Sequence, residues 1–271
     1  MILTREPETF PKSPGIIGRM GRWLLLSSRE IGRASMLLLE ALLAIRFVIH
    51  RRSRDQVVEQ MYSYGIKSLS VVTIVAVFTG MILALQTGIE LRKFNQEVNI
   101  GTAVMVSMLR EMGPFMTGLI MSACVGSSMA ALLGTMTVSE EIAAMEIMSI
   151  SPVQYLVMPR LLAMMLIMPA LSFYTCIMGV IGGGVVGMTQ LDVAWANYID
   201  NATRYADNKD LFVGLFKAVL FGMIITAVSC HEGFRASQGA VGVGRATRKS
   251  VIESFLLILI VGYFVTRLFY F

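Results

Sequence analysis

Charge is scarce in this chain of 271 residues: 15% are Asp, Glu, Lys or Arg and 55% are hydrophobic, with a mean hydropathy of +0.69. Soluble domains carry about a quarter charged residues, so a soluble globular domain is excluded. Histidine occurs only as His50 and His231, far apart, and no Gly-x-Ser-x-Gly or His-Glu-x-x-His pattern exists. Neither hydrolysis nor metal-assisted catalysis has residues to carry it, so no enzyme activity, cofactor or metal is expected. Cysteine is limited to Cys124, Cys176 and Cys230, an odd number in or beside apolar stretches. Their spacing fits no metal set, and they read as small packing residues. No basic stripe interleaved with aromatics is present, which removes nucleic acid as a partner. The formal charge of +5 lies mostly outside the apolar runs and suits anionic headgroups. Finally, residues 7–22 are polar and hold no continuous apolar core with a cleavage site, so the first membrane element is expected to stay in the mature chain.

What the chain has instead is long uncharged runs. A helix crosses a bilayer core with about 20 apolar residues, and Ser68 to Ile89, Met112 to Ser139 and Leu161 to Leu191 contain no charge at all. Leu211 to Cys230 is interrupted only by Lys217, placed where it is expected to snorkel to an interface. Ser254 to Thr266 extends to 251–271 with Glu253 and Arg267 at the interfaces. The expected fold is therefore all-α and integral to the membrane, with five spans at about 68–89, 105–134, 161–191, 211–230 and 251–271. They make one membrane domain over 66–271, preceded by a 1–65 tail. Within that tail, Gly18 to His50 mixes Arg19, Arg22, Arg29, Glu30, Arg33, Glu40 and Arg46 with apolar clusters. A charge at the bilayer centre costs about 2.5–3.5 kcal/mol, so this segment is predicted to lie flat as an amphipathic interfacial helix.

Orientation follows from Lys and Arg. Eleven precede the first span, and Arg235, Arg245, Arg248 and Lys249 follow the fourth, which places both regions and the N-terminus in the cytoplasm and the C-terminus outside. The loop over 134–160 departs from this rule, with Glu140, Glu141 and Glu146 against Arg160 alone. Thr137 to Glu140 reads as a capping box that starts a helix there. Ile142, Met145 and Ile147 or Met148 then form an apolar stripe, and the three glutamates offer charge to a basic partner.

Small residues recur every four positions at Gly118, Ser122, Gly126, Ala130 and Gly134, and again at Gly179, Gly183 and Gly187. Such faces let helices approach closely in lipid, either within one subunit or across a dimer seam. Pro114 and Pro169 are expected to kink their spans. The stretch from Gly239 to Thr247 has the glycines of a phosphate loop but Arg245 and Ala246 where Lys and Ser or Thr are needed, so it does not bind ATP.

Two stretches carry a family resemblance. Residues 109–134 read LREMGPFMTGLIMSACVGSSMAALLG and residues 135–163 read TMTVSEEIAAMEIMSISPVQYLVMPRLLA. Together with FTGMILALQ at 78–86 and GRATRKSV at 244–251, they resemble the MlaE family of ABC permeases. The resemblance implies an interfacial N-terminal helix, five spans and a cytoplasmic coupling helix between the second and third. It implies a homodimer working with a separate ABC ATPase subunit, an MCE-domain protein on the periplasmic side and a small accessory STAS-type protein. Phospholipid or a related lipid would be the cargo, moved between inner and outer membrane, with the chain resident in the inner membrane.

On that resemblance, Glu140, Glu141, Ile142, Met145 and Glu146 fall in the ATPase coupling helix, and Leu83, Leu91, Phe94, Arg110, Glu111 and Met112 fall in the lipid pocket. Arg110 and Glu111 are adjacent, hence about 100° apart on a helix, so they are expected not to point at one neighbour, and at least one to face a polar cavity. The chain departs from the family at Cys124 and Leu132, where Arg and Glu are usual, and at Glu90, where an apolar residue is more usual. A secondary transporter or channel without ATP is the alternative. It usually shows an internal repeat and several mid-membrane charges, and no repeat is found here.

Overall fold

The computed structural model describes residues 32–33, 35–44, 51–204 and 206–271. Among these residues, five helices are long and apolar enough to cross a membrane. The first is built from α1 (Arg51–Gly65) and α2 (Leu69–Arg92), joined by a 3₁₀ turn at Ile66–Ser68. The others are α3 (Glu97–Val138), α5 (Val153–Gln190), α7 (Asn208–Phe234) and α8 (Gly239–Tyr270). Two short helices sit at opposite ends of the bundle, α4 (Glu141–Ile147) between α3 and α5 and α6 (Trp195–Arg204) between α5 and α7. The expected spans fall on these five long helices, so the protein is a multi-pass, all-α membrane protein.

The interfacial helix predicted over 18–50 lies largely outside the described residues. The part that is described, 32–33 and 35–44, is helical. There Leu37, Ala41 and Ala44 are buried at helical spacing, while Met36, Leu39 and Leu43 are exposed. Leu37 and Ala41 pack with Ile142, Val153, Leu156 and Cys230, so this segment lies at the α4 end of the bundle.

Small residues decide how the spans meet. On α2 the buried positions are Val72, Ala76, Gly80, Ala84 and Gly88, one every four residues, and Ile74, Phe78, Ile82 and Ile89 are exposed on other faces. Lipid tails give apolar side chains no reason to leave the surface, so close backbone packing supplies the contact energy. A Cβ on Gly80 would collide with the Gly179 carbonyl of α5, and one on Gly182 with the Val77 carbonyl of α2. The stripe on α3 is spent the same way: Gly118 faces Phe221 and Ile258, Gly126 faces Ile225 and Ser229, and Gly134 faces Ala236 and Val243. Of the two uses left open for these faces, the structure shows packing within one subunit, against α7 and α8.

The capping box at Thr137 does not form. Helix α3 runs on through Val138, and the Thr137 hydroxyl donates to the carbonyls of Leu133 and Gly233 rather than turning to a helix start. The chain reverses at Glu140, whose φ of 61° is left-handed, and α4 begins one residue later without a side-chain cap.

Candidate functional site

Pro114 lies one turn inside α3's most polar stretch and has no amide hydrogen. An α-helix would bond that amide to the carbonyl of Arg110; here residues Met108–Met112 widen into a π-turn, and the Arg110 carbonyl needs another donor. The donor is Lys217 of α7. Its Nζ lies 2.8 Å from Arg110 O, 2.7 Å from Glu111 Oε1 and 2.7 Å from Thr266 Oγ1 of α8. The Thr266 hydroxyl donates in turn to Glu111 Oε1 at 2.6 Å. All three hydrogens of the ammonium are thereby used, and the Lys217 side chain is 1% exposed. The expectation that Lys217 snorkels is wrong: a freed backbone carbonyl and a carboxylate across the helix interface hold it inside.

Arg110 and Glu111 also correct the geometric expectation, because both engage α7. Arg110 Nε pairs with Asp210 Oδ1 at 2.7 Å, and Glu111 pairs with Lys217 at 2.7 Å. The two partners lie seven residues apart on α7, about two turns, so they share one face and meet side chains diverging along the axis from the π-turn. Close approach permits this: a Cβ on Gly214, between the partners, would collide with Leu109 O. The Tyr270 hydroxyl donates to Asp210 Oδ1, and the Tyr270 ring lies 4.7 Å from the Arg110 guanidinium and 5.1 Å from Lys209 Nζ. The cluster is partly open, since the side chains of Arg110 and Glu111 are 42% and 41% exposed. Sequence reasoning found Arg110 and Glu111 and missed Asp210, Thr266 and Tyr270. The legible signal was Pro114 four residues after Arg110, which frees a carbonyl in an otherwise apolar span.

The expected lipid-pocket residues separate into three groups. Leu83, Leu91 and Met112 pack around one apolar cluster at the α6 end, with Met105, Ile199 and Leu211. Arg110 and Glu111 join the charged cluster. Phe94 stands apart on the turn after α2, 73% exposed. Beside Leu91 a recess of about 360 Å³ opens, lined also by Asn99, Thr102 and Ala103. Helix α6 closes this end from above: Tyr198 is fully buried and donates to Val180 O at 3.1 Å, and burial pushes its phenol pKa upward.

At the opposite end, Ile142 is buried and Met145 packs inward with it against Leu133, Val153 and Leu156. Glu140, Glu141 and Glu146 are exposed, and beside them Ile147 is 85% exposed with Met148 also open. The outward apolar surface of α4 is therefore Ile147 and Met148 rather than Ile142 and Met145. Cys124 and Leu132, at the positions of the departed Arg and Glu, both lie on the open face of α3. Among the described residues, no group of three or more His, Cys, Asp or Glu is placed to hold a metal ion.

The fold and the site define a polytopic helical membrane protein with half-open ion pairs at one end and an exposed acidic helix between two spans at the other. The family model described as Permease MlaE matches residues 57–268, and the chain belongs to that family. It is 41% identical over 214 residues to a probable ABC transporter permease protein of Rickettsia conorii, covering 79% of this chain and 83% of the relative. A probable ABC transporter permease protein of Synechocystis is 32% identical, over 80% and 83% of the two chains. The Intermembrane phospholipid transport system permease protein MlaE of Haemophilus influenzae is 29% identical, over 93% and 96%.

Proposed function

We propose that this permease moves phospholipid or a related lipid between the inner and outer membranes, driven by a separate ABC ATPase. Two copies of the chain would form the transport unit in the inner membrane, with an MCE-domain protein on the periplasmic side and a small STAS-type protein as an accessory. The α4 end is cytoplasmic on this reading. The basic residues Arg235, Arg245, Arg248 and Lys249 stand there, as positive residues do on cytoplasmic loops. The exposed Glu140, Glu141, Glu146, Ile147 and Met148 are the docking surface for the ATPase, because an apolar pair flanked by carboxylates needs a partner of complementary charge.

The observation that carries the reading is the Arg110 side chain, 42% exposed, on the same π-turn as Leu109 and Met112 of the apolar cluster. Arg binds a phosphate through paired hydrogen bonds, and Leu83, Leu91 and Met112 give acyl chains an apolar wall. The phospholipid cargo is supported by the name of the Haemophilus relative, which is similar over nearly its whole length. A photoreactive amino acid at positions 91, 94, 110 and 112 tests it, with the fully buried position 168 on α5 as control. Lipid adducts several times above the control are expected from 91 and 112. Equal labelling at 168, or normal lipid transport by Arg110→Ala with Glu111→Ala, would place the route elsewhere.

A further inference from the structure

Between the end of α7 and the start of α8 lies a recess of about 210 Å³ that the transport route does not use. Among the described residues its walls carry Arg235, Arg245 and Lys249 with the buried acid Glu232, and Lys249 pairs with Glu232 at 2.9 Å and with Glu253 at 3.3 Å. Arg245 is oriented by a hydrogen bond from Nη1 to Gln238 Oε1 at 3.1 Å. With Glu253 counted beside Lys249, these described residues are net positive by one, three bases against two acids, and they lie at the level where α7 ends and α8 begins. The glycines that suggest a phosphate loop in the sequence have a different use here: Gly242 lies so close to Ser237 that a Cβ would overlap its carbonyl, which brings the loop against the first turn of α8 and forms the recess.

The chemistry of the occupant follows from what lies next to the charge. Arg245, Lys249, Ile252, Leu256 and Leu259 follow one another at three- and four-residue steps along α8 and so share one face. That face is basic at the α4 end and then becomes apolar, with Ile252, Leu256 and Leu259 exposed on the chain. A free anion has no use for the apolar half, whereas a lipid with an anionic headgroup matches both. Basic pockets between spans on the cytoplasmic side bind such headgroups.

We infer that the Arg235–Arg245–Lys249 recess binds the phosphate headgroup of an anionic phospholipid of the cytoplasmic leaflet, with its acyl chains along Ile252 and Leu256. The leaflet rests on the topology proposed above; the lipid chemistry does not. The test uses the full-length chain in phosphatidylcholine vesicles doped with a photoactivatable phosphatidylglycerol, compared with vesicles doped with a photoactivatable phosphatidylcholine. Labelling near Ile252 and Leu256 should be several times stronger with the anionic probe. Each of Arg235→Gln and Arg245→Gln should reduce that preference about fivefold, toward parity, while Lys249→Arg retains it. Equal labelling by the two probes, or a preference unchanged in the double variant, overturns the inference. Suppression of labelling by inorganic phosphate also overturns it, because the recess then takes a free anion. A membrane-impermeant maleimide that reaches Ser237→Cys from outside intact cells would refute the topology alone, leaving the lipid preference to be judged by the vesicles.

Discussion

Replacing Lys217 by Met removes the ammonium that satisfies Arg110 O, Glu111 Oε1 and Thr266 Oγ1 but leaves most of the stem to fill the space. Breaking a buried ion pair costs about 3–5 kcal/mol when the surviving charge is sealed from water. Glu111 is 41% exposed, so its carboxylate can be rehydrated, and the loss falls to about 2 kcal/mol, mostly the stranded carbonyl and hydroxyl. The converse change, Glu111→Gln, strands the ammonium, which is 1% exposed and cannot be rehydrated, so it should cost more, about 3 kcal/mol. Combining the two removes both charges, and the loss should stay near that of Lys217→Met alone. The unfolding free energy can be followed in dodecyl maltoside micelles titrated with sodium dodecyl sulfate, using all four members of the cycle. A coupling energy of about 3 kcal/mol is expected, the two single losses together less that of the double variant. Single losses that add to within about 0.5 kcal/mol, or a Glu111→Gln variant milder than Lys217→Met, would refute the account of this cluster.

Gly80→Ala should destabilise the bundle by about 1–3 kcal/mol, because the new methyl drives α2 away from the Gly179 carbonyl. Gly244→Ala, with nothing within 4 Å of the added carbon, should be neutral or mildly stabilising in the same unfolding assay. Tyr198→Phe removes only the bond to Val180 O and is expected to cost about 1 kcal/mol, with a loss above 3 kcal/mol arguing for a further role of the hydroxyl. Glu140→Lys and Glu141→Lys combined with Ile147→Asp should abolish co-purification of the ATPase without lowering the unfolding midpoint. Retained ATPase would remove α4 as its docking surface.

The spans were legible because the bilayer imposes a local demand: Ser68 to Ile89 or Leu161 to Leu191 must be uncharged wherever their neighbours lie. The four-residue spacing of Gly118, Ser122, Gly126, Ala130 and Gly134 was equally legible, but its partner was not, since packing within and between subunits asks for the same small side chains. Lys217 shows where local reading stops. Seven residues from Asp210 on α7, it could as well run along the span to an interface; what holds it inside is a carbonyl freed by Pro114 on another helix. Thr137 failed for a related reason, since the motif Thr-Val-Ser-Glu describes a helix start only if the preceding helix has ended, and α3 had not. The distance between Phe94 and the Leu91 cluster depends on how the turn after α2 leaves the bundle, which the spacing of apolar residues does not encode.

The clamp at Lys217 changes what α3 can be mechanically. Helix α3 has 42 residues, about 60 Å of length at 1.5 Å per residue, with α4 at one end and the π-turn near the other. Near that far end it is riveted to α7 through Lys217 and Asp210, and to α8 through Thr266 and Tyr270, by links that span three rods. On the proposed docking of the ATPase at α4, these links resist a sliding of α3 past α7. A push at α4 would then carry α3, α7 and α8 together toward the α6 end, with the π-turn at Ser122–Gly126 the one place along α3 between α4 and the clamp where the helix departs from regular α geometry.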